Sequence, residues 1–202
     1  MTRNTALPGL MICLTLLMPA RAAFAATPAE SFVSGNIQTG LGILANPQIA
    51  PAQKKAQFQT FLLGITDMKR IAVFTLGKYA ATASAADQDA FAAAFQNYAV
   101  AVYQSYFARY SGQGLVVLRS TQHAPGDFIV VTNMVDKSGQ PPLEIDFRVR
   151  TDGAKPVITD FSVGGIWLAI AEQADFTGVL DKNGGSIPGL IQHLNATASQ
   201  YK

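Results

Sequence analysis

From Asp127 to Val163 the chain alternates. Ile129, Val131, Asn133 and Val135 fall on one side of an extended backbone, and Phe128, Val130, Thr132 and Met134 on the other. Leu143, Ile145, Phe147 and Val149 then alternate strictly with Glu144, Asp146, Arg148 and Arg150. One face of this strand is therefore apolar and the other charged. Ser138-Gly139 supplies the turn before it, and Asp152-Gly153 is the strongest short hairpin signal in the chain. A third run, Val157 to Val163, ends in Gly164-Gly165 and leads into Ile166-Trp167-Leu168. With an earlier strand at Leu115 to Ser120, the pattern predicts a four-stranded antiparallel meander.

The flanking segments carry the helical period. Thr27-Pro28-Ala29-Glu30 opens a helix with a cap, a proline at the first position and a glutamate three after the cap. Phe32, Val33, Ile37, Leu41 and Leu44 continue it to Asn46-Pro47. A second helix is predicted from about Ala50 to Leu63, and a short third starts at Thr66 or Asp67 and closes at Gly77. Ser84-Ala85-Ala86-Asp87 caps the longest helix, predicted to Tyr110. On it Phe91, Phe95, Tyr98, Val102 and Tyr106 share one face, widened by Tyr103, Phe107 and Tyr110. Buried tyrosine hydroxyls need partners. Such a stripe either packs on the sheet with its hydroxyls at the rim or lines the pocket of an amphiphile. Glu172 to Leu180 and a helix after Ser186 finish the chain. Four helices, four strands and two helices in that order indicate an α+β fold with helices covering one face of the sheet.

Composition changes the picture at the N-terminus. Arg3, the apolar run Leu10 to Met18, Pro19 and the Ala20-Arg21-Ala22 and Ala23-Phe24-Ala25 sites read as a cleavable secretory signal. The run is too short for a spanning helix, which needs about 20 apolar residues. Cleavage after Ala25 leaves residues 26–202 as one domain. The full chain has 15 Lys and Arg against 13 Asp and Glu. Removing Arg3 and Arg21 leaves 13 of each, so the mature chain is neutral. It lacks the basic footprint of a nucleic-acid binder. Cys13 is the only cysteine, so the mature domain has no disulfide, thiol nucleophile or cysteine metal site.

No catalytic constellation emerges from the motifs. His123 and His193 have no His or Cys at ligand spacing, and no metal or cofactor site is expected. There is no Gly-x-Ser-x-Gly and no phosphate-binding Gly-x-x-x-x-Gly-Lys. Glu144 and Asp146 read as a solvated strand face with Arg148 and Arg150 as partners. An enzyme acting on a hydrophobic substrate would need a polar cluster such as Asp160 with Tyr103. A non-catalytic adaptor would have a filled core and use its surface.

Gly77-Lys78-Tyr79, then Ala86-Asp87-Gln88-Asp89-Ala90-Phe91 and Phe95, then Tyr103 and Tyr110, the meander, Val163-Gly164-Gly165-Ile166, Phe176 and the closing Gly185 to Leu194 resemble the MlaC-type, or toluene-tolerance, proteins. The resemblance spans nearly all of the mature chain. Two positions depart from the family pattern: Trp167 stands where a serine is usual, and Gln173 where an arginine is common. Trp167 to Ile170 and Gly184 to Ile187 are similar to the branch associated with hopanoid synthesis.

The resemblance implies a periplasmic lipid carrier with an apolar pocket between sheet and helices. It implies a phospholipid, or a hopanoid-type lipid, as ligand. It implies an inner-membrane ABC transporter with an MCE-domain component and an outer-membrane lipoprotein–porin complex as partners. The lining expected on this basis is Phe74, Tyr79, Tyr103, Phe107, Met134, Ile145, Phe147, Val149, Trp167 and Ile170. Ordinary core packing accounts for an apolar side chain at each of these positions equally well.

Overall fold

The computed structural model describes residues 25–107, 110–136 and 141–201. The predicted export signal up to Phe24 and the Ser138-Gly139 turn lie outside the described residues.

Helix starts follow local chemistry. Helix α1, Pro28–Ala45, opens with a reciprocal capping box. Thr27 Oγ1 accepts from the Glu30 amide at 3.1 Å, and the Thr27 amide donates to Glu30 Oε2 at 2.9 Å. Helix α2 spans Pro51–Ile65 with no side-chain cap. Helix α3, Met68–Thr75, is capped by Asp67, and a 3₁₀ turn, Gly77–Ala81, follows it. Helix α4, Ala85–Phe107, starts where Ser84 Oγ accepts from the Asp87 amide. Helices α5, Leu168–Lys182, and α6, Ile187–Ser199, close the chain, the latter capped by Ser186.

The sheet is a five-stranded antiparallel meander in order β1-β2-β3-β4-β5. Its strands are β1 Gly114–Ala124, β2 Asp127–Val135, β3 Leu143–Arg150, β4 Val157–Val163 and β5 Ile166–Trp167. The α+β expectation holds, with one strand more than the four predicted. The fifth exists because Gly164 and Gly165, at φ 57° and 84°, form a tight turn with both residues left-handed. That turn folds Ile166-Trp167 back onto β4, pairing Ser162 with Trp167. Helix α5 consequently begins at Leu168, ahead of the predicted Glu172.

The Asp152-Gly153 signal does not make a two-residue hairpin. Arg150 pairs with Val157, leaving residues 151–156 as the connection. A two-residue loop would have set Pro156 opposite Val149, where its missing N–H breaks the ladder. The tight turn is instead Pro125-Gly126, with Gly126 at φ 69°. Its carbonyl accepts from the Thr151 amide at 2.8 Å, stacking the two loops at one end of the sheet.

Two apolar clusters build the interior. Ala29 and Val33 of α1 pack on Val130, Val149 and Ile158 of the sheet. Helices α3 to α6 enclose Phe91, Leu76, Leu180, Leu190 and Leu194 beside the β4 end. Phe176 sits at the centre of that group, edge-on to Phe91, Phe95 and Tyr98 at 6.0 to 6.2 Å. Thr66 bridges to Ile158, so the α2–α3 joint is fastened to β4.

Candidate lipid-binding face

The β-register sorts side chains onto two faces. Met134 pairs with Leu143, Ile145 with Thr132, Phe147 with Val130, and Val149 with Phe128. On the next strand Val163, Phe161 and Ile158 lie opposite Ile145, Phe147 and Val149. A bulge at Thr159 keeps Phe161 and Ile158 on this inner face despite their odd spacing. Helix α4 reaches down to it: the Tyr103 ring lies 5.3 Å from Phe161, which is 6.5 Å from Phe147.

The inner face is not uniform along its strands. Under α1, Val149 and Val130 are fully buried in a filled contact. Toward the other end, Ile145 and Met134 are half-buried and Leu143 is exposed. There a small open hollow of about 160 Å³ is lined by Met134, Asp136, Pro141 and Leu143. Five of the ten expected lining residues are thus brought to one surface: Tyr103, Met134, Ile145, Phe147 and Val149.

The structure places four others elsewhere. Trp167 pairs with Ser162, which pairs with Asp146, so its register position is on the outer, charged face. Phe74 and Ile170 are exposed on α3 and α5 at 46% and 53%. Gln173 Nε2 donates to the Phe74 carbonyl at 2.7 Å and ties these two helices. Tyr79 sits in the helical layer, its hydroxyl donating to Asp181 Oδ1 at 2.6 Å. The Phe107 side chain lies outside the described atoms. Phe161 and Thr132 were missed by the sequence reading. The bulge hides the period of β4, and Thr132 is polar, its hydroxyl satisfied by the Ile145 carbonyl at 2.6 Å.

The charged face holds a different pairing from the one its alternation suggests. Glu144 and Asp146 share a strand with Arg148 and Arg150 and point the same way, so the arginines pair across to β2. Arg148 donates to both oxygens of Asp127, Nε at 3.1 Å and Nη2 at 2.7 Å. Arg150 adds 3.4 Å to Asp127 and a second ion pair with Asp152. Asp127 is buried, and the Arg148 hydrogen bonds hold its carboxyl below the usual aspartate range against the effect of burial. Asp146 accepts from Ser162 Oγ at 3.2 Å, while its Oδ1 is buried with no hydrogen bond among the described residues. Burial, then the Glu144 charge, pushes its carboxyl up.

Asp160 has a structural task. Its Oδ1 accepts from the Phe161 amide at 2.8 Å and the Ala169 amide at 2.9 Å. A carboxylate on β4 therefore caps α5 in place of Trp167, which has no capping side chain. Asp160 pairs with Arg148 on the outer face, whereas Tyr103 meets the inner one. The sheet separates the two groups that a catalytic pairing would need together. Tyr98, on the aromatic stripe of α4, finds its partner in Glu172 Oε1 at 2.9 Å, and burial raises both groups. Among the described residues no three His, Cys, Asp or Glu gather as a metal site. Among the described residues, no helix is long and apolar enough to cross a membrane.

The fold has a known counterpart. The family model described as MlaC protein matches residues 36–196, and the chain belongs to that family. Among solved structures it is similar to a phospholipid-binding protein from Ralstonia solanacearum determined in complex with a phospholipid. The TM-score is 0.75 at 22% identity, over 88% of this chain and 99% of that one.

Proposed function

We propose that the protein is a non-enzymatic periplasmic carrier that holds a phospholipid by its acyl chains against the inner sheet face. It would pass this cargo between an outer-membrane lipoprotein–porin complex and an inner-membrane ABC transporter with an MCE-domain component. The observation that supports it most is an apolar sheet face beneath α4, running from Tyr103 through Phe161 to Phe147 and out to Met134. It occurs in a family member whose fold matches a phospholipid-bound protein.

The physics suits a carrier without catalytic groups. Burying roughly thirty CH₂ groups at about 0.8 kcal/mol each yields on the order of 20 kcal/mol. An apolar surface supplies that energy alone, and headgroup contacts then set preference rather than affinity.

The test is native mass spectrometry of protein drawn from its own periplasm, followed by organic extraction. A stoichiometric phospholipid is expected. A polycyclic terpenoid would keep the carrier and change its cargo, and an empty protein that takes up no added lipid would sink the proposal. Met134→Glu, at the open end of the face, should keep the fold by circular dichroism and lose at least about tenfold in lipid retention, from charge placed against acyl chains.

A further inference from the structure

Helix α2 differs from the other helices in how it is held. Of its 15 residues only Phe58 is buried. It packs on α1 and also touches α4, bridging the two. On the α1 side, the Phe58 and Phe61 rings meet at 5.5 Å, tilted by 60°, beside Gly40, where an added Cβ would stand 2.9 Å from the Phe61 ring. On the α4 side, Gln104 Nε2 reaches the Lys55 carbonyl at 3.5 Å, the long end of a hydrogen bond. Residue 104 directly follows Tyr103, whose ring rests on Phe161 of the inner face. Ile65 of α2 packs against the Val130, Val149 and Ile158 cluster, so α2 borders the apolar sheet surface.

The two ends of α2 are held unequally. At its C-terminus Lys155 Nζ donates to the Gly64 carbonyl at 3.0 Å, Thr66 bridges to Ile158, and the Asp67 amide donates to the Ile158 carbonyl at 3.2 Å. These bonds fix residues 64–67 to β4 and its preceding loop. At its N-terminus the five-residue stretch 46–50 is non-helical, and Ala50 gives no side-chain cap. A tie there is the flexible Lys54 Nζ donating to the Leu44 carbonyl at 2.7 Å. A rod anchored at one end, resting on a glycine and one buried ring, is a hinged element.

We propose that α2 is a lid over the inner face, pivoting about Ile65 to Asp67 and lifting from Gly40 and Gln104 to admit and release the acyl chains. This rests on the carrier reading above, and it names the element that controls exchange. Closed, α2 shields the chains from water. Open, it exposes the seam between α1 and α4, while Leu63 near its fixed end stays packed against the α3 to α6 cluster.

The experiment uses the full chain with Cys13→Ser, which leaves no other cysteine. Lys55→Cys with Gln104→Cys is linked by a short bis-maleimide. Transfer of a fluorescent phospholipid from vesicles of phosphatidylethanolamine and phosphatidylglycerol is then timed. The linked protein should load and release at least about tenfold more slowly than the same protein unlinked, because exchange needs the minor open state. Gly40→Val, which presses on Phe61, should speed exchange several-fold while circular dichroism stays unchanged. A link of equal length between Lys69→Cys and Asp89→Cys, whose native side chains pair at 2.6 Å between α3 and α4, should leave exchange at the unlinked rate. Equal rates for the linked and unlinked Lys55–Gln104 protein would overturn the lid. So would equal slowing by the Lys69–Asp89 link. Unlinked protein that never takes up lipid overturns the carrier reading and the lid with it.

Discussion

Asp127 shows how one buried charge sets the behaviour of the whole outer face. It keeps 2% of its side chain exposed, whereas Arg148 keeps 41%. A fully buried pair loses roughly 3–5 kcal/mol when one partner is removed. With Arg148 half in water, Asp127→Asn should cost about 2 kcal/mol, read as a lower urea midpoint at pH 7. The pH dependence has a definite sign. The folded carboxyl titrates below its unfolded value, so its stabilisation is complete above the ordinary aspartate range and drains away as pH falls through the folded value. The gap between wild type and Asp127→Asn should accordingly narrow as pH falls below the ordinary aspartate range. This residue was not legible as a partner in the sequence. Alternation tells which residues share a face, but not which strand positions lie opposite one another. That register depends on turn geometry, and Ser138-Gly139 marks a turn without fixing which residues of β2 and β3 pair.

At the level of elements, the boundaries that the sequence hid are those set by distant groups. The capping box at Thr27 and the cap at Ser84 are local, and the helices begin where those residues say. Helix α5 begins at Leu168 because Asp160, on another element and nine positions before Ala169, supplies its cap. No window of residues around Trp167 contains that information. Asp160→Ala should cost about 1–2 kcal/mol by orphaning the Ala169 amide. Asp160→Asn retains the acceptor. Burial raises the folded carboxyl above its unfolded value, so the ionised form is the one the fold disfavours, and the penalty applies above that raised value. The asparagine variant should therefore match or exceed wild type in thermal midpoint at pH 7 and lose its small advantage as pH falls toward 4. The inner face was legible in part for a related reason. Met134, Ile145, Phe147 and Val149 follow strict alternation, whereas Phe74 and Ile170 are apolar residues that the helices leave exposed. An apolar letter records hydrophobicity, not the direction in which the side chain finally points.

For the molecule as a whole, one sheet face has two environments. Its α1 end is filled by Ala29 and Val33, and its Met134 end is left open. A ligand seated at that open end adds to stability by mass action. At a hundredfold excess over the dissociation constant the gain is about 2.7 kcal/mol. For a domain of this size that corresponds to roughly 5–10 °C. Delipidated protein should melt lower by that amount in calorimetry and recover when lipid is restored; an unchanged midpoint would contradict binding at this face. The same arrangement also dictates an order of assembly. Strand β4, the Gly164-Gly165 turn and α5 are contiguous, and Asp160 ties strand to helix across nine residues. Helix α1 belongs to the opposite extreme: the Thr27 hydroxyl meets Ser120 Oγ at 2.9 Å across 93 residues of chain. Contacts that close long loops form late, because their entropy is lost before the contact repays it. The first segment of the domain to be made is therefore the last to find its place, and until α1 docks the Val130 and Val149 end of the inner face stands open to solvent.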